Sequence, residues 1–254
     1  MAISVERQEF GGLSTLVLQD SQLATPNPRR ILLCHGFGAP GDDLADIGTF
    51  LLQQNPKVAS TCCFIFPAAP IDLTAAGMPG GRAWWPINMA QLAAMHETRD
   101  FEPLTAISPP GMNEATDQLH LAMQQMQQRW NCSAGSFHIG GFSQGAMIAT
   151  NLTLTRQLKI AQLCILSGTL LNSDAWRQLA KSHSGLNVLM SHGSQDQILP
   201  IDAAQLLRDM LLETGHAVNY LEFQGPHTIP QEILTRLEHS ILQSHTEADG
   251  IKAD

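Results

Sequence analysis

The sequence predicts an α/β fold, in which a mainly parallel, doubly wound sheet is flanked by helices. Short apolar runs that end at glycine or proline recur along the chain, and longer stretches with helical spacing lie between them. This alternation is typical of parallel strands joined by helical crossovers. A length of 254 residues, with 44% hydrophobic and 15% charged residues, suits one domain with a core on both faces of the sheet.

The apolar runs are the predicted strands. Each is short, rich in aliphatic or aromatic residues and bounded by turn-forming residues, which favours a strand over a helix. In chain order they are LSTLVLQ at 13–19, RILLCHG from 30, CCFIFPAAP from 62, SFHIGGFS from 136, AQLCILSG from 161, LNVLMSHG from 186 and AVNYLEF from 217.

The segments between the strands have apolar residues at helical spacing. They predict helices over 42–54, 113–130, 146–158, 174–182, 202–213 and 230–243. Asp42, Asn113, Asp174 and Asp202 stand at the expected starts of four of these helices. Their side-chain oxygens can accept hydrogen bonds from first-turn N–H groups, and negative charge suits that end of a helix. We therefore predict these four residues as helix caps.

Residues 1–244 are predicted to form the single domain. Within it, residues 72–112 contain the Pro- and Gly-rich segments LTAAGMPGGRAWWPIN and EPLTAISPPG and have no strand signal. This stretch lies between two consecutive predicted strands, and such excursions often build substrate sites. Residues 245–254, HTEADGIKAD, are polar and are predicted to be a flexible tail.

Charge and cysteine usage exclude several classes of function. With 14 basic and 23 acidic residues the net charge is -9, which repels nucleic acid. The amino terminus has neither a basic start nor an apolar run, and no stretch is long enough for a transmembrane helix, so we expect a cytoplasmic protein. The five cysteines form no CxxC pair or Cys/His ligand spacing, so no metal site is predicted.

A candidate nucleophile lies between a predicted strand and a predicted helix. Gly141-Phe142-Ser143-Gln144-Gly145 fits the pattern G-x-S-x-G, which places a serine hydroxyl on a tight strand-to-helix turn. The apolar run FHIGG leads into the turn and the small-residue run GAMIATNL leads out of it. The two glycines remove the Cβ atoms that would collide in so strained a turn. Ser143 is therefore the predicted nucleophile.

A serine hydroxyl needs a histidine base and a carboxylate, here expected downstream in the order Ser, acid, His. Asp196 follows the predicted strand from 186, so it lies at the carboxyl edge of the sheet where Ser143 also emerges. The competing acid is Asp202, which precedes the apolar run AAQLL and which we interpret as a helix cap. Asp196 is the predicted acid.

His227 is the predicted base. It lies in FQGPHTIP, a loop between the last predicted strand and the last predicted helix, from which its ring could reach the strand ends near Ser143. His35 and His192 each precede a glycine at a strand end, and we interpret both as loop-packing residues. Substitution of His227 is expected to abolish turnover.

Acyl transfer also needs hydrogen-bond donors for the negative charge that develops on the carbonyl oxygen. Gln144 follows the nucleophile at a helix start, and Phe37 follows His35-Gly36 at the end of an early strand. The backbone N–H groups of Phe37 and Gln144 are the predicted oxyanion hole.

Motifs in the same order along the chain resemble the phospholipase/carboxylesterase family, which includes the acyl-protein thioesterases. They are HGFGAPGDD, FPAAP, RAWWPI, GGFSQGAM, HGSQDQILP and GPHTIPQE. The resemblance covers most of the chain and implies an α/β-hydrolase fold, a triad of Ser143, Asp196 and His227, an oxyanion hole at Phe37 and Gln144, and no cofactor.

The chain departs from this family after RAWWPI. Better-known members have an aspartate after their tryptophan and aromatic pair, whereas this chain has Pro86 and then extra residues through AISPPG. Arg82, Trp84 and Trp85 could line the acyl or alcohol pocket, and adjacent tryptophans are also common packing residues. The longer excursion could form a lid over a hydrophobic groove, which a lipid or aromatic ester would require.

The predicted function is hydrolysis of carboxylic esters, thioesters or lysophospholipids through an acyl-enzyme on Ser143. A second enzymatic alternative is another reaction of the same fold, such as dienelactone or peptide hydrolysis, because fold alone does not choose the reaction. A third, from another class, is a non-catalytic binding protein. The expected partner is a small ester or acyl substrate. The sequence leaves undecided whether the protein forms a homodimer, since an exposed groove near the tryptophans could serve as an association surface.

Overall fold

The structure is a computed structural model, which describes residues 2–23, 25–88, 102–106 and 108–243. The predicted tail at 245–254 and part of the 72–112 segment therefore lie outside the described residues. The strands are β1 Ile3–Phe10, β2 Leu13–Asp20, β3 Arg29–Cys34, β4 Cys62–Pro67, β5 Ile71–Asp72, β6 Arg82–Ala83, β7 Phe137–Phe142, β8 Gln162–Leu166, β9 Asn187–Gly193 and β10 Ala217–Phe223.

The described residues also contain eight α-helices. They are α1 Ala45–Gln54, α2 Pro56–Thr61, α3 Glu102–Ala106, α4 Met112–Arg129, α5 Gln144–Thr155, α6 Ser173–Ser182, α7 Ile201–Glu213 and α8 Gln231–Gln243. None of them is long and apolar enough to cross a bilayer. Nor does any group of three or more His, Cys, Asp or Glu side chains in the described ranges form a candidate metal site.

One large sheet organises the molecule. Its strand order is β1-β2-β4-β3-β7-β8-β9-β10. The pairs β1/β2 and β2/β4 are antiparallel, and every pair from β4 through β10 is parallel. The prediction of a mainly parallel sheet is confirmed, because the long crossovers carry the helices that the sequence pattern indicated.

The sheet is covered on both faces by apolar side chains. Strand β3 is fully buried, and its residues alternate between two cores: Ile31 and Leu33 pack in one cluster, and Leu32 and Cys34 in the other. The first cluster includes α1 and α8 residues, and the second includes residues of α4, α5, α6 and α7. This arrangement confirms the doubly wound interpretation.

The predicted helix caps are wrong. The helices α1, α4, α6 and α7 are preceded by Leu44, Gly111, Asn172 and Pro200, and none of these makes a side-chain capping bond. Asp42 lies before α1, where its carboxylate pairs with Arg7 at 2.9 Å. Asp202 lies inside the first turn of α7, where its charge still suits the helix dipole.

Three strands were not predicted. Strand β1 pairs with β2 at one edge of the sheet, and its sequence ISVERQEF carries too many charged residues to read as an apolar run. Strands β5 and β6 form a small antiparallel pair inside or next to the 72–112 segment, where the sequence has no strand signal.

Candidate active site

Ser143 lies on a strained turn between β7 and α5. Its φ is 56° and its ψ is -121°, a backbone conformation that residues other than glycine rarely adopt. A Cβ atom added at Gly141 or Gly145 would lie 2.2 or 1.9 Å from the backbone oxygen of Cys34. Only glycine therefore fits at these two positions, and the close approach of β3 holds the turn in place.

Asp196 and His227 are in direct contact. Asp196 lies in the loop after β9 and His227 in the loop after β10, and the distance from His227 Nδ1 to Asp196 Oδ2 is 2.6 Å. The Asp196 side chain is fully buried, whereas 14% of the His227 side chain is exposed. The structure thus brings together the two residues predicted as acid and base.

The Asp196 carboxylate has hydrogen-bond partners on both oxygens. Oδ1 accepts from the backbone N–H groups of Ile198 and Leu199 at 2.8 and 2.9 Å. Oδ2 lies 2.6 Å from His227 Nδ1 and 3.2 Å from His192 Nε2. Burial alone would raise the pKa of Asp196, but the hydrogen bonds from His192, His227 and the Leu199 N–H outweigh it and hold the pKa well below the usual range.

His192 was interpreted as a loop-packing residue, and the structure places it beside the acid instead. Its ring is fully buried, and Nε2 lies 2.9 Å from the backbone oxygen of Leu199 as well as near Asp196. The one sequence signal for this contact is the four-residue spacing between His192 and Asp196 across the turn that follows β9.

Backbone hydrogen bonds join the Asp196 loop to the His227 loop. Ser194 N–H donates to the oxygen of Phe223 at 2.8 Å, and Gln195 N–H donates to the oxygen of Gly225 at 3.0 Å. Ser167, which follows β8, donates its hydroxyl to the oxygen of Thr228 at 3.3 Å. These bonds fix the loop that carries the histidine relative to three adjacent strand ends.

The elbow and the histidine loop meet through Phe142. The Phe142 ring and the His227 ring have centroids 4.6 Å apart, and Phe142 directly precedes Ser143. Ser143 N–H donates to the oxygen of Leu166 at 2.8 Å, which ties the elbow to β8. Ser143, Asp196 and His227 therefore emerge at the same carboxyl edge of the sheet, as the sequence predicts.

The two predicted oxyanion donors flank Ser143. Gln144 is the first residue of α5, so its N–H has no acceptor within the helix. Gly36, next to Phe37, lies against the elbow: a Cβ added there would be 3.4 Å from Ser143 Cβ. In the ranges that the structure describes, neither the Phe37 nor the Gln144 backbone N–H has a hydrogen-bond acceptor. With respect to the described residues, both are available to a ligand atom.

His35 supports the loop that carries Phe37. Burial lowers the pKa of His35, and the neutral ring accepts a hydrogen bond at Nε2 from the Ala69 N–H at 3.0 Å. Nδ1 lies 2.8 Å from the oxygen of Gly36. This placement agrees with the interpretation of His35 as a loop-packing residue.

The three candidate pocket residues make mainly internal contacts. The Arg82 guanidinium donates to the backbone oxygens of Ala69 and Pro70. Trp84 and Trp85 are 1% and 3% exposed and belong to a core cluster. Direct substrate contact by these three side chains stays a prediction, which their burial and their bonds to the protein do not favour.

A hydroxyl on a strained turn, a histidine bonded to a buried carboxylate and two unused N–H groups together fit nucleophilic acyl transfer. A family model described as Phospholipase/Carboxylesterase matches residues 21–245. Acyl-protein thioesterase 1 of Saccharomyces cerevisiae is 25% identical over 220 residues, which cover 82% of this chain and 89% of the relative.

Solved structures share the fold. The crystal structure of esterase PE8 superposes with a TM-score of 0.73 at 23% identity and covers 91% of this chain and 98% of its own. A carboxylesterase from Mesorhizobium loti has a TM-score of 0.71 at 13% identity and covers 94% of this chain and 99% of its own. The prediction of an α/β-hydrolase fold is confirmed.

Proposed function

Because this chain belongs to the phospholipase/carboxylesterase family, we propose that it hydrolyses carboxylic esters or thioesters through an acyl-enzyme on Ser143. The observation that carries the proposal is the 2.6 Å contact between His227 Nδ1 and the buried carboxylate of Asp196, beside the strained turn that presents Ser143. A buried carboxylate at this position selects one tautomer of the imidazole.

The proposed mechanism follows from that tautomer. His227 donates a hydrogen bond from Nδ1–H to Asp196, so the lone pair is on Nε2, where it can accept the Ser143 hydroxyl proton. The Ser143 oxygen then attacks the acyl carbonyl, and Asp196 stabilises the imidazolium that forms. His227 returns the proton to the leaving alcohol or thiol. A water molecule, activated by the same base, then releases the acyl group.

The Phe37 and Gln144 N–H groups supply the electrostatic part of the mechanism. In the proposal, both point at the position where the carbonyl oxygen becomes negative in the tetrahedral intermediate. Backbone donors held in advance stabilise the transition state more than the substrate, because they need no reorganisation during the reaction. Their lack of acceptors within the described residues supports this role.

The proposed substrates are small carboxylic esters and acyl thioesters. Thioesters are included because a relative named as an acyl-protein thioesterase is similar over most of this chain. We further propose that residues 72–112 shape the substrate site, with Arg82, Trp84 and Trp85 acting mainly on the shape of its wall. Three bonds support this form of the proposal. The Arg82 guanidinium donates to the Pro70 oxygen after β4, the Trp84 indole donates to the His35 oxygen after β3, and the Trp84 backbone N–H donates to the Gln144 side chain at the start of α5.

Intact mass after fluorophosphonate treatment tests the nucleophile. The wild-type protein is expected to gain one adduct, and Ser143→Ala is expected to gain none. Ser194→Ala is the matched control, because Ser194 is an exposed serine on the Asp196 loop and should leave labelling unchanged. An adduct that persists in Ser143→Ala would contradict the assignment.

Turnover of p-nitrophenyl esters from acetate to laurate, and of the matching thioesters, tests the substrate class. We expect hydrolysis with a clear optimum of acyl length. Hydrolysis of lactones or peptides without hydrolysis of esters would instead favour another reaction of the fold. A folded wild-type protein that takes up no label and turns over no ester would be a binding protein.

A cytoplasmic location and a homodimer are also part of the proposal. The cysteines of the described residues are all free, which suits a reducing compartment. Fractionation with reporter tagging tests the location. Light scattering over a concentration series tests the assembly.

A further inference from the structure

Trp84 connects the two segments that carry the proposed oxyanion donors. Its backbone N–H donates to Gln144 Oε1 at 2.9 Å, and its indole Nε1–H donates to the backbone oxygen of His35 at 3.0 Å. The Gln144 amide also donates from Nε2 to the oxygen of Trp85 at 2.9 Å. The Gln144 side chain is fully buried and Trp84 is 1% exposed, so water does not compete for these bonds.

The same segment holds the Phe37 loop from its other side. Gly38 N–H donates to the oxygen of Arg82 at 2.9 Å, and Arg82 N–H donates to the oxygen of Ala39 at 3.0 Å. Two hydrogen bonds to the β6 segment thus enclose Phe37. The Trp84 indole binds His35, two residues before Phe37, and the Arg82 backbone binds Gly38, one residue after it. Neither bond uses the Phe37 N–H itself.

These contacts matter because the two donors come from different strands. Phe37 follows β3 and Gln144 follows β7, and no helix or strand contains both N–H groups. A pair of donors stabilises an oxyanion only when both are held at hydrogen-bonding distance from one point, and small displacements are costly in rate. The pairing of β3 with β7 ends at Cys34 and Gly141, and Phe37 and Gln144 each lie three residues beyond that pair. Contacts outside the sheet are therefore needed to fix the distance between the two N–H groups.

We propose that Trp84 is a positioning residue that sets the distance between the Phe37 and Gln144 N–H groups, an inference that rests on the proposed function. Trp84 itself does not touch the substrate. Its ring lies 5.8 Å from the His35 ring, centroid to centroid, inside the core. Its indole N–H acts on the Phe37 loop through the His35 carbonyl, and its backbone N–H acts on α5 through the Gln144 amide.

Trp84→Phe tests the proposal, because it keeps an aromatic ring and the backbone N–H but removes the indole donor. The expected result is a fall in kcat by about 10-fold to 100-fold with KM changed by less than about 2-fold, since an oxyanion contact is made in the transition state. The affinity for a trifluoromethyl ketone, whose serine adduct carries an oxyanion, should fall in proportion to kcat/KM.

Trp176→Phe is the matched control. Trp176 is also fully buried and also donates its indole N–H once, to Asn151 Oδ1 at 2.9 Å, but it belongs to α6 and its bond reaches α5 seven residues beyond Gln144, away from the oxyanion donors. This variant should lose similar thermal stability and keep the wild-type kcat. An equal fall of kcat in both variants would overturn the proposal, because the loss would then follow from destabilisation.

A second replacement keeps the test decisive if Trp84→Phe does not fold. Genetic incorporation of 3-benzothienylalanine at position 84 replaces the indole N–H by sulfur and preserves the shape of the ring. We expect the same fall in kcat and in trifluoromethyl ketone affinity. A kcat within about 2-fold of wild type would overturn the proposal. An inactive wild-type protein that takes up no fluorophosphonate would instead contradict the proposed function, so the two failures are distinguishable.

Discussion

Asp196 shows how single residues set the chemistry of the site. Its carboxylate accepts two backbone N–H groups on Oδ1, and on Oδ2 it contacts two imidazoles. A carboxylate held on both oxygens cannot rotate, so the His227 ring that it contacts is held in one orientation as well. The buried His192 therefore supports the base through the acid.

The first prediction concerns this carboxylate. Asp196→Asn is expected to lower kcat by about 10,000-fold, because the amide cannot select the required tautomer of His227. Steady-state kinetics with a p-nitrophenyl ester measures the loss, and circular dichroism checks the fold. Asp202→Asn is the matched control, since Asp202 lies in the first turn of α7 and should keep the wild-type kcat. A large loss in both variants would contradict the assignment of Asp196 as the acid.

The second prediction is a pH dependence of stability. The pKa of Asp196 is lower in the folded protein than in the unfolded chain, so the unfolded state binds more protons as the pH falls. The stability from this carboxylate is complete above its unfolded pKa of about 3.9 and is lost as the pH falls below that value. Urea unfolding should show a steeper loss for wild type than for Asp196→Asn. Parallel curves would contradict the prediction.

The sequence located the residues whose chemistry demands a fixed order along the chain. Ser143, Asp196 and His227 each follow a predicted strand, and parallel strands end at one edge. The contact of His192 with Asp196 depends on how the turn after β9 folds back, and strand patterns carry no information about that turn. The helix-cap predictions were wrong for a related reason. Capping depends on one or two residues at a helix boundary, and the spacing of apolar residues does not define that boundary.

At the scale of the element, the β7–α5 turn stores backbone strain at the nucleophile. Ser143 has positive φ while the glycines on either side provide the space for β3. The strained conformation serves the reaction, because it projects the Ser143 hydroxyl beyond the sheet, where the histidine can reach it.

The third prediction measures that strain. Ser143→Gly should be more stable than Ser143→Ala by about 1 kcal/mol, because glycine adopts positive φ at little cost, although its unfolded chain has more entropy to lose. Urea unfolding of the two inactive variants gives the difference directly. Equal or reversed stability would show that the surrounding structure, and not residue 143, bears the strain.

The fourth prediction concerns the glycine on the helix side of the turn. Gly145→Ala should lower the free energy of unfolding by more than about 3 kcal/mol, because the new Cβ would lie 1.9 Å from the Cys34 oxygen. Gly77→Ala is the control: Gly77 has a positive φ, unlike Gly145, but nothing lies within 4 Å of the added atom. Its expected cost is about 1 kcal/mol. Similar losses in the two variants would contradict the steric argument.

The elements that the sequence missed share a physical cause. Among the described strands, β1 pairs with β2 alone. It carries exposed charged side chains, so it lacks the apolar run by which buried strands such as β3 are recognised. Strands β5 and β6 are two residues long and are held by tertiary contacts of Arg82. Local sequence predicts elements that bury a face, and it predicts poorly those that depend on a distant partner.

At the scale of the whole molecule, helix α8 completes the second face of the sheet. Its residues Ile233, Leu237 and Ile241 are fully buried in a cluster with β3 and β4 side chains. Gln243, in this helix, is the last described residue, so the domain boundary predicted at residue 244 stays a prediction.

The fifth prediction tests that boundary. A chain of residues 1–244 should keep the wild-type kcat and a Tm within about 2 °C, because it retains every described helix and strand. A chain that ends at Pro230 is the control and should not fold, since it loses three buried side chains that contribute about 1.5–3 kcal/mol each. Loss of activity in the 1–244 chain alone would give the final residues a role in the site.

The order of the strands has a consequence for biosynthesis. The residues proposed for the reaction follow β3, β7, β9 and β10, and β10 lies at the far edge of the sheet. A growing chain on the ribosome therefore holds the nucleophile well before it holds the base, which arrives after β10. The nascent protein is expected to cleave no ester until β10 and the His227 loop have been translated, so the first ester cleavage during synthesis would report completion of the sheet.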